Sequence, residues 1–245
     1  ERFGYISGMV ETAENLARKY SISREAADAY AVRSQHRAAA AWSEGRMAAE
    51  VVPVSVPQKR GDPIVVAQDE GIRADTTLES LAKLRAIQRD GTVTAGNAAQ
   101  QNDAAAACLV VAEDRLADLG LTPDAFLVGW AAAGCEPAEM GIGPVPAAAR
   151  LLKRLGLAVD DMDLVEINEA FACQVLSVLQ AWPSVDLERV NVNGSGISLG
   201  HPIGATGVRI MTTLLHEMKR RNVRYGLETM CIGGGQGMAA VFELA

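Results

Sequence analysis

The sequence predicts a layered α/β fold, a sheet with helices on both faces. Three observations carry this expectation. From Phe126 onward, short apolar strand-like runs alternate with segments of helical periodicity. Three of the strand ends run into small, polar or glycine-rich stretches, at Asn168–Phe171, Asn191–Arg209 and Cys231–Gly237. The chain has 245 residues, 49% of them hydrophobic, which is enough to bury a sizeable core.

Taken in order, Glu11–Tyr20 reads as a short helix. Ser23 then caps an alanine-rich helix running from Arg24 to about Glu44, with Glu25 in its first turn and Gly45 beyond its end. Val51–Val56 reads as a strand, and the basic turn Lys59–Pro63 leads into Ile64–Ala67. Thr77–Leu84 is a short helix with Lys83, Arg85 and Arg89 at and beyond its end, either a solvated face or a contact for a phosphate-bearing ligand. Thr92–Asp103 is a small, polar loop that lets a backbone come close to a ligand, and Ala104–Ala112 is an apolar run too short to assign between buried strand and helix wall. Beyond it come a strand at Phe126–Ala132, a helix at Val145–Leu155 and a strand at Asp163–Ile167. A helix from Glu169 to Trp182 follows, with Asn168 as its N-cap, and then a strand at Val190–Val192. The next helix, Gly204–Arg221, carries Val208, Met211, Leu214, Leu215 and Met218 on one face. Gly226–Met230 and Met238–Leu244 are strands flanking the glycine run. A boundary near residue 118 separates an irregular, ligand-facing part, 1–118, from a compact α/β part, 119–245.

The net charge of −7 argues against a general nucleic-acid-binding surface. Four cysteines, Cys108, Cys135, Cys173 and Cys231, lack CxxC spacing, so neither a disulfide framework nor a metal site is expected, and a reducing, cytoplasmic setting fits best. No apolar run reaches the length of a membrane span. The chain opens on Glu1 in what reads as mid-domain sequence, so targeting cannot be read from its start.

His201 lies on a tight loop between Gly200 and Gly204, just ahead of a helix whose positive end disfavours a second proton on the ring. A neutral imidazole there can take a proton or donate to a developing oxyanion; the structural alternative is a buried ring satisfied by backbone. Cys231 follows an apolar strand and precedes Gly233-Gly234-Gly235, whose N–H groups are free to face an anion. A dinucleotide fingerprint is a weak match there, because a strand-like run, Met238–Leu244, and not a helix follows. Cys108, Cys135 and Cys173 read as inert, packed thiols. Asn168, at a strand-to-helix junction, is a cap or a side-chain donor to an oxyanion. Neutral His and Asn donors with a Cys acid/base on successive strand-end loops form a constellation for acyl transfer.

Asn168–Ala172 (NEAFA), Asn191–Arg209 (NVNGSGISLGHPIGATGVR) and Cys231–Gly237 (CIGGGQG) resemble the three C-terminal signatures of the thiolases, the acetyl-CoA acetyltransferase and 3-ketoacyl-CoA thiolase family. Residues 9–35 resemble that family's entry into its loop domain, and 92–107 its return to the core. The resemblance implies Claisen condensation or thiolysis of 3-ketoacyl-CoA through covalent Cys chemistry, on a layered α-β-α-β-α fold of two similar halves. It implies Cys231 as the acid/base, His201 as activator of the nucleophile and oxyanion donor, Asn168 as holder of a water in the same hole, and the Gly233 N–H as donor to a second hole. Met9, Leu84, Ala95, Met140 and Phe171 fall where relatives line the pantetheine and acyl channel, and Ala99 where many have a Ser that contacts coenzyme A. NGSGIS (193–198) stands in place of the commoner NGGAIA. The family's nucleophile, in a Cys-x-Ser-Gly context, has no counterpart here. The chain is therefore expected to hold an incomplete N-terminal half, a loop domain and a complete C-terminal half, and to be inactive alone. Coenzyme A enters as substrate, with no tightly bound cofactor. A homodimer or tetramer, or a partner chain carrying the missing part, is implied. The alternative is a non-catalytic, acyl-CoA-binding subunit.

Overall fold

A computed structural model of the chain describes residues 7–245. Its centre is a four-stranded mixed sheet of β3 (Ala125–Gly134), β4 (Leu164–Ile167), β5 (Tyr225–Ile232) and β6 (Gln236–Leu244), in the order β3-β6-β5-β4. β6 is antiparallel to both its neighbours, and β4 runs parallel to β5 with Ile167 opposite Thr229. Because side chains alternate along a strand, β4 feeds two cores. Val165 and Ile167 pack with Leu151 of α5 (Pro144–Leu155) and Val175 and Val178 of α6 (Ala172–Ala181). Leu164 turns the other way, into a cluster with Leu214 and Met218 of α8 (Thr206–Arg221) and Phe242. Helices thus cover both faces, as the alternation of elements indicates.

The earlier part of the chain wraps onto this layer. In α1 (Met9–Lys19), Glu14 is buried and its carboxylate accepts the N–H groups of Thr92 and Val93, pinning the 92–98 loop. α2 (Arg24–Ser43) starts as expected, the Ser23 hydroxyl accepting the Ala26 N–H at 3.1 Å. The two short strands β1 (Val54–Val56) and β2 (Ile64–Val66) form an exposed antiparallel hairpin, and α3 (Leu78–Ala82) is capped by Thr77. A single turn, α4 (Leu116–Leu119), precedes β3, and another, α7 (Gly196–Leu199), precedes the His201 loop.

Four expectations need correction. Ala104–Ala112 is neither strand nor helix: it is without regular structure, with Leu109 86% and Val110 88% exposed. A strand needs a neighbour for its N–H and C=O groups, and none lies alongside it among the described residues. Cys108 is accordingly exposed rather than packed. Val190–Val192 contributes only single bridges, Val190 to Val165 and Val192 to Gly194, rather than a strand. Finally, α6 begins at Ala172 with Phe171 at its N-cap, so Asn168 is not a helix cap. Residues 169–171 stay outside the helix, where Phe171 bridges to Ala98 and the Ala99 N–H donates to the Ala170 carbonyl.

Candidate active site

Parallel pairing of β4 and β5 puts their C-terminal ends at one edge of the sheet. Asn168 stands at the end of β4, fully buried, its N–H donating to the Thr229 carbonyl at 3.0 Å. Cys231 lies two residues further along β5, still inside the strand rather than beyond it. It is buried in a cluster that includes Met140, Phe171, Val93 and Ala170.

His201 reaches the same edge from the loop between α7 and α8. Its Nε2 lies 3.4 Å from the Asn168 Nδ2, and its Nδ1 lies 2.7 Å from the Thr206 Oγ1. The Thr206 hydroxyl has one proton, and a carbonyl acceptor, Pro202 O, lies 2.9 Å from it. With that proton committed, the Nδ1–H is the donor to Thr206, and Nε2 is left with a free lone pair toward the Asn168 amide. Burial and the Arg209 guanidinium both push the His201 pKa below its ordinary value. Both effects favour the neutral ring. Asn168 Oδ1 is buried with no partner among the described residues, so this amide is not consumed by the fold.

Close backbone approach makes the arrangement possible. A Cβ on Gly196 would sit 2.7 Å from the Glu169 carbonyl and 3.0 Å from Asn168 Oδ1. Gly200 has φ +97°, a conformation that L side chains rarely adopt, and the Asn102 side chain fills the space beside it.

Glu169, next to Asn168, is a structural hub. Its fully buried carboxylate accepts from the Tyr30 hydroxyl at 3.0 Å, the Ser34 hydroxyl at 2.6 Å, the Asn191 amide at 3.0 Å and the Ile197 N–H at 3.2 Å. It joins α2, the Asn191 turn and α7 under the site. Sequence reasoning passed over Glu169 and Thr206. A Glu at a strand end reads as a helix first turn, and a Thr five residues past a His gives no signal until the loop closes.

The remaining candidates divide. Met140 and Phe171 share the Cys231 cluster. Ala99 is half-buried beside Ala170. Gly233 is exposed in the β5–β6 turn, its carbonyl accepting from the Gln236 side chain. Met9, Leu84 and Ala95 are exposed and lie outside that cluster, Leu84 packing over Gly96. Burial raises the thiol pKa of both Cys231 and Cys173 to about 12, so both are protonated. Cys173 donates to the Ala13 carbonyl and packs in the core, and Cys135 is half-buried near the Met140 carbonyl. Of the basic residues after α3, Arg89 pairs with Asp90 in solvent. A cavity of about 300 Å³ opens next to the His201 loop, between residues 102–106 and Pro202–Ala205.

Under the loop, Glu166 and Glu228 are register partners on adjacent parallel strands, so their buried side chains share a face. Burial holds Glu166 well above the usual carboxylate range, Glu228 at about 8 and the nearby Glu50 at about 7. A carboxyl whose folded pKa is raised stabilises the fold while protonated, and that stability is lost as pH rises through the folded value. Stability is thus expected to fall from about pH 4.5, the ordinary carboxylate value, to about pH 8, the folded value of Glu228, and Glu228→Gln to remove much of the slope and to stabilise the chain at pH 8 and above by a few kcal/mol (~1.4 kcal/mol per pKa unit). Urea midpoints of both chains across that range check this; equal slopes contradict it.

The chain matches the thiolase C-terminal domain family over residues 121–244 and the thiolase N-terminal domain family over residues 5–114. It is 54% identical to an acetyl-CoA acetyltransferase of Thiocystis violacea over 235 residues, 95% of this chain and 59% of that protein. It is 51% identical to an acetyl-CoA acetyltransferase of Rhizobium meliloti, covering 98% of this chain and 61% of the relative. Among solved structures, the acetyl-CoA acetyltransferase of Bacillus anthracis superposes with a TM-score of 0.93 at 43% identity, over 99% of this chain and 61% of that one. Human mitochondrial 3-ketoacyl-CoA thiolase in complex with CoA superposes with a TM-score of 0.88 at 44% identity, over 97% and 59%. The chain spans about three fifths of the length of these relatives. Its fold, its two matched regions and its relatives agree: the chain belongs to the thiolase family.

Proposed function

We propose that this chain is the larger part of an acyl-CoA acyltransferase that condenses or thiolyses 3-ketoacyl-CoA, and that it supplies the imidazole, carboxamide and acid/base thiol but not the nucleophile. The observation that carries this reading is the Asn168–His201 pair, with Nδ1 held by Thr206 and Nε2 left basic.

In the thiolysis direction, a cysteine thiol from outside these residues gives its proton to His201 Nε2 and attacks the keto carbon of the substrate. The C–C bond then breaks, and the electron pair passes to the departing acetyl-CoA as an enolate whose thioester oxygen faces His201, Asn168 and the water Asn168 holds. Cys231, kept protonated by burial, delivers its proton to the enolate carbon. It regains a proton from the incoming coenzyme A thiol, whose sulfur displaces the acyl group from the nucleophile; the returning thiolate recovers the proton on His201. The Gly233 N–H stabilises the oxyanion of the acyl-transfer step. Met140 and Phe171 shape the acyl end of the channel, and Met9, Leu84, Ala95 and Ala99 its coenzyme A end. The exposed Leu109 and Val110 support an assembly in which another segment or chain covers 104–112, and a homodimer or tetramer of the completed protein.

Complementation tests the proposal. The 245 residues alone are expected to show no thiolysis of acetoacetyl-CoA above background, since a covalent route without its nucleophile is closed. Mixed or fused with the N-terminal part of the Thiocystis violacea relative that lies outside the match, they should turn over. Cys231-dependent activity of the isolated chain would overturn the assignment of roles, and an inactive but folded complex would favour an acyl-CoA-binding subunit.

A further inference from the structure

Arg209 sits one helical turn into α8 with no part in the chemistry above, yet it links two features of the site. Its Nη2 donates to the Gly200 carbonyl at 3.4 Å, the residue before His201. Its Nη1 is sealed from solvent and has no hydrogen-bond partner among the described residues. The charged groups around it come from every side: Glu166 on β4, Glu169 beyond it, Glu50 after the α2 end and Asp69 after β2, with Glu228 on β5 also within its field. None of these carboxylates forms a direct ion pair with Arg209 among the described residues, and the Oε2 atoms of Glu166 and Glu50 are buried without partners. Burial favours the protonated form of Glu166, Glu50, Asp69 and Glu228 among these acids. Its charge is left to act upward, on the loop.

We propose that Arg209 is a positioning residue for His201: its guanidinium anchors the Gly200–His201 turn from beneath, and its positive charge keeps a second proton off the imidazole. A ring that must accept a proton from a thiol and return it cannot rest as imidazolium. Helix position alone does not secure this, because His201 lies ahead of the α8 N-cap, Ala205. The acids beneath Arg209 divide the labour: enough negative charge to tolerate a buried cation, too little to cancel it. This inference rests on His201 being the base of the proposed function, and its test does not depend on turnover.

The test is the pH dependence of carbethoxylation of His201 by diethyl pyrocarbonate in the 245-residue chain, read by peptide mass spectrometry from about pH 5 to 8, since only the neutral ring reacts. His36, on α2 and bound to the Thr76 carbonyl, serves as the internal control. In Arg209→Gln the His201 midpoint is expected to rise toward the ordinary imidazole value of about 6.5, with a several-fold lower rate near pH 5.5. Arg209→Lys, which keeps the charge but loses the planar fork, should retain the low midpoint. Should His36 reactivity change as well, Arg209→Met fills the same space without a polar head and makes the same comparison. Equal shifts in the Lys and Gln variants would assign the effect to packing and overturn the proposal, as would an unmoved midpoint in Arg209→Gln. A low midpoint kept by wild type and Lys but lost in Gln, in a complemented protein with no thiolase activity, would sustain this inference while sinking the proposed function.

Discussion

In the complemented enzyme, His201→Ala is expected to lower kcat/KM for acetoacetyl-CoA by more than about four orders of magnitude, beyond what either of its roles alone explains. A general base contributes about 10²–10⁴-fold, and one oxyanion donor about 10²–10³-fold. His201 holds both positions: its Nε2 lone pair faces the site, and the same nitrogen, once protonated, faces the developing oxyanion. Asn168→Ala removes only a donor and the water it holds, so its loss should stay near 10²–10³-fold. Because the two side chains touch, at 3.4 Å, their losses should be less than additive, as expected for groups that act as a unit. Steady-state kinetics on the two single variants and the double variant measure this. Equal, modest losses in both singles would show that His201 is no base.

The second large effect concerns the fold. Glu169→Ala is expected to lower stability by about 3–5 kcal/mol, because four donors lose a charged acceptor at once and remain buried. Those donors belong to Tyr30, Ser34, Asn191 and Ile197, so α2, the Asn191 turn and α7 should loosen together. Glu169→Gln keeps the volume and part of the accepting capacity and should cost less. Urea midpoints at unchanged slope read the effect. A loss below about 1 kcal/mol in Glu169→Ala would mean that water replaces the carboxylate and that the hub is dispensable.

Much of this architecture was legible in the sequence because local rules and tertiary packing agree. Ser23 caps α2, helix-periodic stretches become α5 and α8, and the glycine run turns β5 into β6. What could not be read depends on distant partners. Ala104–Ala112 has strand composition, and composition alone supplies no neighbour. Asn168 has the residue type of a cap, but the non-helical 169–171 segment, bridged to Ala98 through Phe171, moves the helix start to Ala172. The order of strands, and the antiparallel placement of β6 between β3 and β5, are tertiary facts. At the site, the motifs singled out Asn168, His201 and Cys231. Thr206 and Arg209, which the structure places against the His201 ring and beneath its loop, carry no signal until the backbone closes.

A crystal structure of the complemented enzyme with an acyl-CoA bound tests the central claim most directly. A single thioester carbonyl should place its oxygen about 3 Å from His201 Nε2, with the Cys231 sulfur facing the adjoining carbon. A thioester bound elsewhere, for example in the cavity beside Pro202, with His201 and Cys231 facing separate spaces, would contradict it.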